Sequence, residues 1–228
     1  MTKTNLSLLI VCLIVYNTFS QSPTLTPKDL QTATIDSCLS WMRNNAYTDN
    51  DLDNFHAIGL QTLQRSLASE DTQIISQVHE ELANWHGYNG VFSPDSVVYH
   101  SEKVLEYQLL GNDKKKIADT YRTLAIDYIN IRKLDASQNV LFKAISLYEE
   151  LGNELGLASA YRTLGSLYQV MEDFDKSIDY TLKAIPILEK NKEFASVAIA
   201  QFNLIIGYGE IGEFEKAYKA TDYCLNLI

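Results

Sequence analysis

Residues 121–145 recur forty positions later at 161–185, with ten of the 25 aligned positions identical. Unrelated stretches of average composition would share about one or two. Tyr121-Arg-Thr-Leu-Ala-Ile-Asp-Tyr128 answers to Tyr161-Arg-Thr-Leu-Gly-Ser-Leu-Tyr168, and Lys143-Ala144-Ile145 to Lys183-Ala184-Ile185. A third copy keeps the offset, with Leu204, Tyr208, Phe214, Lys216 and Thr221 matching Leu164, Tyr168, Phe174, Lys176 and Thr181. A fixed period of this size means stacked supersecondary units, none of which can bury its apolar face alone.

The unit reads as a helical hairpin. Tyr161, Leu164, Leu167 and Tyr168 recur at helical spacing, and Asp173 is placed to cap a second helix beginning at Phe174. The small residues Gly165, Ser177 and Ala184 let the two helices approach closely, and Pro186 predicts a kink or an early end. Tyr161-x-x-Leu164-Gly165-x-x-Tyr168 resembles the tetratricopeptide repeat signature, with Tyr in place of Trp. The 40-residue period and the Leu110-Gly111-Asn112 and Leu151-Gly152-Asn153 connectors resemble the long-helix variant of that family. Thr181 and Thr221 depart from its usual aromatic, and Ile205 from its small residue. The resemblance implies an all-α, right-handed α-α superhelix (a solenoid) of about five hairpins, residues 113–228 holding three repeats with the last incomplete.

Upstream the pattern erodes. Lys3, the apolar run Leu6 to Tyr16 and small residues Thr18 and Ser20 read as a cleavable export signal over residues 1–20. The run is shorter than the roughly 20 apolar residues that span a bilayer. Its removal takes away Lys3 and no acid, moving the formal charge from −10 to −11 and placing the protein in the periplasm or outside the cell. Residues 21–112 are expected to form degenerate helical repeats that cap the solenoid. Thr26-Pro27-Lys28-Asp29 opens a helix carrying Cys38, Leu39 and Met42, and further helices follow at 52–68, 71–88 and 95–110, the last capped by Ser93-Pro94. Cys38 and Cys224 are expected to be free or buried thiols. At the other end the last helix has no polar cap behind Cys224-Leu225, so either the polypeptide continues or another chain covers that face. Self-association through it is expected.

Catalytic signatures are missing from the sequence. It holds no H-E-x-x-H, G-x-x-x-x-G-K-[ST], G-x-S-x-G or paired C-x-x-C, so no catalytic residue, metal or cofactor is expected. His79 and His86 stand two helical turns apart, about 10.5 Å along the axis, too far to chelate one ion. With His56 and His100 they read as partly exposed structural histidines. A hydrolase using these histidines with nearby acids is the rival reading. A pI near 4.8 removes nucleic acid as a partner, because phosphate contacts need basic surface. Lys114-Lys115-Lys116 reads as a solvated helix start, and Tyr88, Tyr128, Tyr168 and Tyr208, at one repeat position, as packing rings.

Arg122 and Arg162 occupy equivalent sites on successive first helices. Asp119 can pair with Arg122 three residues on, whereas Ala158, Ser159, Gly165 and Ser166 leave Arg162 without an acid on its own helix. A structural ladder or an inter-repeat ion pair would use them equally well. The family resemblance implies that first helices line an inner groove, where basic residues can clamp a peptide carboxylate. Arg122, Arg162, Ser166 and Gln169 are then the candidate ligand-binding residues, with Ile126, Ile129, Ile206 and Gly209 beside them. The implied function is an exported scaffold for a protein or peptide segment, acidic or C-terminal, and one setting is the sensing part of a bacterial signalling protein.

Overall fold

The computed structural model describes residues 29, 33–45, 52–88 and 93–226. The export signal, the Thr26 cap and the last two residues lie outside them. Ten helices fill the described residues: α1 (Ile35–Asn45), α2 (Leu52–Ser69), α3 (Thr72–Tyr88), α4 (Pro94–Gln108), α5 (Lys114–Asn130), α6 (Leu134–Glu150), α7 (Glu154–Val170), α8 (Phe174–Lys190), α9 (Phe194–Glu210) and α10 (Phe214–Leu225). Each packs on its neighbour in sequence, α1/α2 through α9/α10 forming hairpins, and the stack is an all-α superhelical solenoid.

From α5 onward each 40-residue repeat runs one 20-residue helix–turn step twice. Each of α5 to α9 has 17 residues, and three-residue turns join them. The middle turn residue is left-handed every time: Arg132 (φ 61°), Gly152 (60°), Glu172 (62°), Lys192 (59°) and Gly212 (79°). The next amide closes each turn on the preceding helix, as Lys133 N–H does on Tyr128 O (2.9 Å) and Glu213 N–H on Tyr208 O (2.8 Å). Both bonds of the Schellman motif are present, satisfying carbonyls the helix end leaves open. The hairpin turn and the turn between hairpins are therefore one device.

Asp173 caps α8 as expected, its carboxylate accepting from Lys176 N (3.2 Å), and Asp113 and Asn153 cap α5 and α7 in the same way. Ser93 does not cap α4. Its hydroxyl pairs with Ser96 Oγ (2.8 Å) while Pro94 opens the helix. Pro186 does not end α8, which runs four residues beyond it. The amide it lacks would have bonded the carbonyl of Leu182, whose residue is exposed.

Small residues set the helix spacing. A Cβ on Gly165 would meet Thr181 Oγ1 and crowd Ser177 O (3.2 Å), and Ser177 Oγ donates back to Gly165 O (2.8 Å). Thr181, standing where the repeat signature prefers an aromatic, is fully buried and satisfied by Ser177 O (2.7 Å). One core joins Tyr121, Leu141, Tyr148, Leu164 and Tyr168, and another runs on through Ile178, Ile185, Val197 and Leu204. A separate core in α1–α3 holds Cys38, Leu39, Met42, Phe55, Ile58, Leu82 and Trp85. Cys38 and Cys224 are free thiols, the first buried and the second half-buried. No helix among the described residues is long and apolar enough to cross a membrane.

Candidate functional site

Arg122 lies near the middle of α5 and Arg162 near the middle of α7, and these two first helices touch. The Arg122 charge is close enough to push the Arg162 pKa down, after burial, which does so more strongly. Arg162 is half-buried rather than exposed, and its Nε is enclosed without a hydrogen-bond partner. Among the described residues no carboxylate comes within ion-pair distance of Arg122 or Arg162. Asp119 does not pair with Arg122. It accepts from the Tyr148 hydroxyl (2.7 Å) and from Lys115 (3.0 Å) instead, because Tyr148 reaches over from α6 buried and in need of an acceptor. Burial and this acceptor raise the Tyr148 pKa, while Arg122 beside the same hydroxyl opposes the rise.

Ser166 is partly committed. Its hydroxyl accepts from Asn203 Nδ2 of α9 (3.0 Å) and lies 3.4 Å from Arg162 O. Asn203 thus ties two successive first helices together, which no repeat motif had marked. Gln169, Ile126, Ile129, Ile206 and Gly209 are all half-buried.

The histidines are the main correction. His79, His86 and His100 are buried, not partly exposed, and only His56 is exposed. His100, on the antiparallel α4, falls between the two α3 histidines, bonding His79 Nδ1 to Nδ1 (2.8 Å) and stacking on His86 (5.5 Å between ring centres). His56 stacks on Trp85 and meets His86 edge-on. Burial lowers the His79 pKa to about 4 and the His100 pKa to about 3. Both rings are then neutral near pH 7, one Nδ1 donating and the other accepting. Among the described residues no group of three or more His, Cys, Asp or Glu is placed to hold a metal ion.

The Lys114, Lys115 and Lys116 ammoniums are solvated and paired with Glu150, Asp119 and Asp113. The periodic tyrosines pack under lysines at repeating offsets: Lys143 over Tyr121 and Lys183 over Tyr161, Lys176 over Tyr168 and Lys216 over Tyr208. Tyr168 also stacks on Tyr180 and accepts from Gln138 Nε2 (2.6 Å). Tyr128 donates to Glu102 (2.8 Å), and burial with this bond takes its pKa to about 12.

The module begins only at α5, after an irregular connector. Leu110-Gly111-Asn112 looks like the later Leu-Gly-Asn turn, yet Gly111 is not left-handed, and five residues separate α4 from α5. Here α3 and α5 pack less closely than α1 on α3 or α7 on α5 and α9. The opening is a cleft walled by Glu80, Asn84 and Gly87 of α3 and by Thr120, Thr123 and Asp127 of α5, with a cavity of about 370 Å³. Val97, Ser101 and Val104 of α4 form its floor. A second cavity of about 410 Å³ shares Glu80 and continues toward Arg43 and Lys116. Pattern reading missed this cleft, because the signal was a two-residue irregularity inside a familiar-looking connector.

No family model and no curated protein matches the sequence. Solved structures do resemble it. The structure of BtubC (BKLC) from P. vanneervenii superimposes with a TM-score of 0.69 at 20% identity, covering 89% of this chain and 91% of that one. A putative kinesin light chain from Podosopora anserina, with nearly identical TPR-like repeats, gives 0.69 at 12% identity over 85% and 93%. Aspartyl phosphate phosphatase F from Bacillus subtilis gives 0.72 at 10% identity, over 85% of this chain and 51% of that one. Together with the 40-residue signature and the uniform helix–turn module, these likenesses make the chain a tetratricopeptide-like repeat protein by fold.

Proposed function

We propose that the protein is an exported scaffold that holds a peptide or protein segment against its first helices, with Arg122 and Arg162 clamping a carboxylate. The observation that carries the reading is Arg162. A guanidinium with an enclosed, unpartnered Nε, no carboxylate in reach and a second arginine nearby is a standing electrostatic cost in the free protein. A bidentate carboxylate would offset it. Protein-interaction scaffolds are what folds of this kind supply, and nothing in the structure favours a hydrolase built on the histidines. The His79 and His100 rings are buried, neutral near pH 7 and bonded to each other. Export rests on Lys3 and the Leu6–Tyr16 run, and N-terminal sequencing of the envelope or secreted fraction should begin at Gln21. A place in the sensing part of a signalling protein rests on the family resemblance.

The binding test uses a peptide ending in a free carboxylate and the same peptide as its amide. The acid should bind more tightly, added salt should weaken it, and Arg162→Ala should cost it about 1.5–3 kcal/mol with little change in helix content. Equal affinity for acid and amide would remove the clamp and leave the fold untouched.

A further inference from the structure

The cleft between α3 and α5 has a charge balance unlike that around Arg162. Asp127 enters it from α5 and Glu80 from α3. Ser101 Oγ donates to Asp127 Oδ2 (2.7 Å), and among the described residues this is the one side-chain bond given to that carboxylate. Neither Asp127 nor Glu80 has a cation within ion-pair distance among the described residues. The basic groups nearest the far end are already engaged, Arg43 with Glu81 (2.8 Å) and Lys116 with Asp113 (3.9 Å). The Thr120 and Thr123 hydroxyls donate within the chain, to Gln108 Oε1 and Asp119 O. What remains is a cavity of about 370 Å³ above an apolar floor of Val97 and Val104. Asp127 stands half-buried in its wall with no cation acting on it, while Glu80 is more exposed and feels the Arg43 and Lys116 charges from a distance.

Burial already raises the Asp127 pKa, with Ser101 opposing. A carboxylate so placed gains from a cation, and one that brings its own alkyl stem also covers the valines. An inorganic cation would cover neither valine, and among the described residues no group of three or more His, Cys, Asp or Glu is placed to hold one. A guanidinium or ammonium on a three- or four-carbon stem fits both the charge and the floor.

We propose that the α3–α5 cleft is a pocket for a basic side chain, arginine or lysine, of the bound segment, with Asp127 and Glu80 as its counter-charges. This proposal rests on the scaffold reading above and sharpens it. Packed helices stand about 8–10 Å apart, roughly three extended residues. Arg122 shares α5 with the Thr120, Thr123 and Asp127 wall of the cleft, and Arg162 stands on α7, the next first helix. The preferred segment therefore carries a basic residue about three positions before its terminal carboxylate.

The test titrates the isotopically labelled chain with acetyl-Ala-Arg-Ala-Ala-Ala, free at its C-terminus, followed by NMR. Its counterpart has citrulline for arginine, the same shape without the charge. The arginine peptide should bind about tenfold or more tightly than the citrulline peptide, the scale of one charge-assisted hydrogen bond. Its shifts should fall on the amides of 80–87, 101 and 120–127. Replacing Glu80→Gln and Asp127→Asn together should close the gap, while affinity for the citrulline peptide holds. Circular dichroism of that variant checks its fold, and Asp127→Asn keeps an acceptor for Ser101. Arg162→Ala should weaken both peptides and preserve the gap, whereas amidating both tests the clamp alone. Equal binding of the two peptides, no shift at the cleft, or a gap that survives in the double variant would each overturn the proposal. A gap that persists with no penalty for amidation would sink the clamp and leave the cleft standing.

Discussion

The two ends of the solenoid solve the same packing problem with different materials. From α5 to α9 each unit repeats one recipe of 17 helical residues and a left-handed turn, around a core of tyrosine, leucine and small residues. In α1–α4 the helix lengths vary from 11 to 18, the interior mixes Trp85, Phe55 and Met42 with three buried histidines, and exposed Arg43 pairs with buried Glu81 at its edge. Periodic packing distributes stability over similar nearest-neighbour interfaces. The irregular end concentrates it in a few specific contacts, some of them titratable. The cleft opens at the join, where the five-residue connector precedes the recipe.

The largest expected effect tests whether the ends unfold independently. Leu164 and Leu82 are both fully buried, one in each core. Leu164→Ala and Leu82→Ala should each cost about 2–5 kcal/mol. Hydrogen exchange should show the first loosening α5–α10 and the second α1–α4. Identical exchange patterns would mean that one cooperative unit spans the join.

Acid should separate the ends next. The His79 pKa falls from 6.5 to about 4 on folding, and that of His100 to about 3. The unfolded chain therefore binds more protons below pH 6.5, so this contribution to stability is present above 6.5 and lost as pH falls toward 4. Asp127 and Glu80, both raised by burial, act in the opposite sense around and above their ordinary values of 3.8 and 4.5; Glu80 adjoins His79 on α3, and the two-histidine shift is the larger. Protection in α3 and α4 should fade between pH 6.5 and 4 before that in α7 and α8, and His79→Gln with His100→Gln should flatten the profile. Uniform loss along the chain would erase the distinction.

Self-association should follow from α10. Tyr218 and Leu225 are 73% and 70% exposed, whereas their equivalents Ile178 and Ile185 are 7% and 8% exposed under the next hairpin. Sedimentation should detect oligomers at high concentration that Tyr218→Ser with Leu225→Ser disperses, and a monomer throughout would show that the face tolerates water.

The smallest effects lie in the turns. Glu172 and Lys192 hold a left-handed conformation that costs a side chain but suits glycine. Glu172→Gly and Lys192→Gly should each raise stability by about 0.5–1 kcal/mol, and Asp173→Ala should lower it by about 1 kcal/mol through the lost cap. Thermal melts would resolve these shifts, and a loss on Glu172→Gly would contradict the turn argument.

The regular half was legible because the same burial problem recurs there, and selection of similar side chains at similar positions leaves a period. Tyr161, Leu164, Gly165 and Asp173 do in space what their spacing implies. The sequence by itself therefore determined the helical hairpin, the stacking and the equivalence of Arg122 with Arg162. Only the tertiary structure decided that Asp119 turns to Tyr148, that His100 slots between His79 and His86, and that α3 and α5 pack less closely and leave Asp127 and Glu80 facing a cavity. Each of these depends on partners from other helices. A helix's periodicity records which face is buried, but not which distant polar group will arrive to meet it.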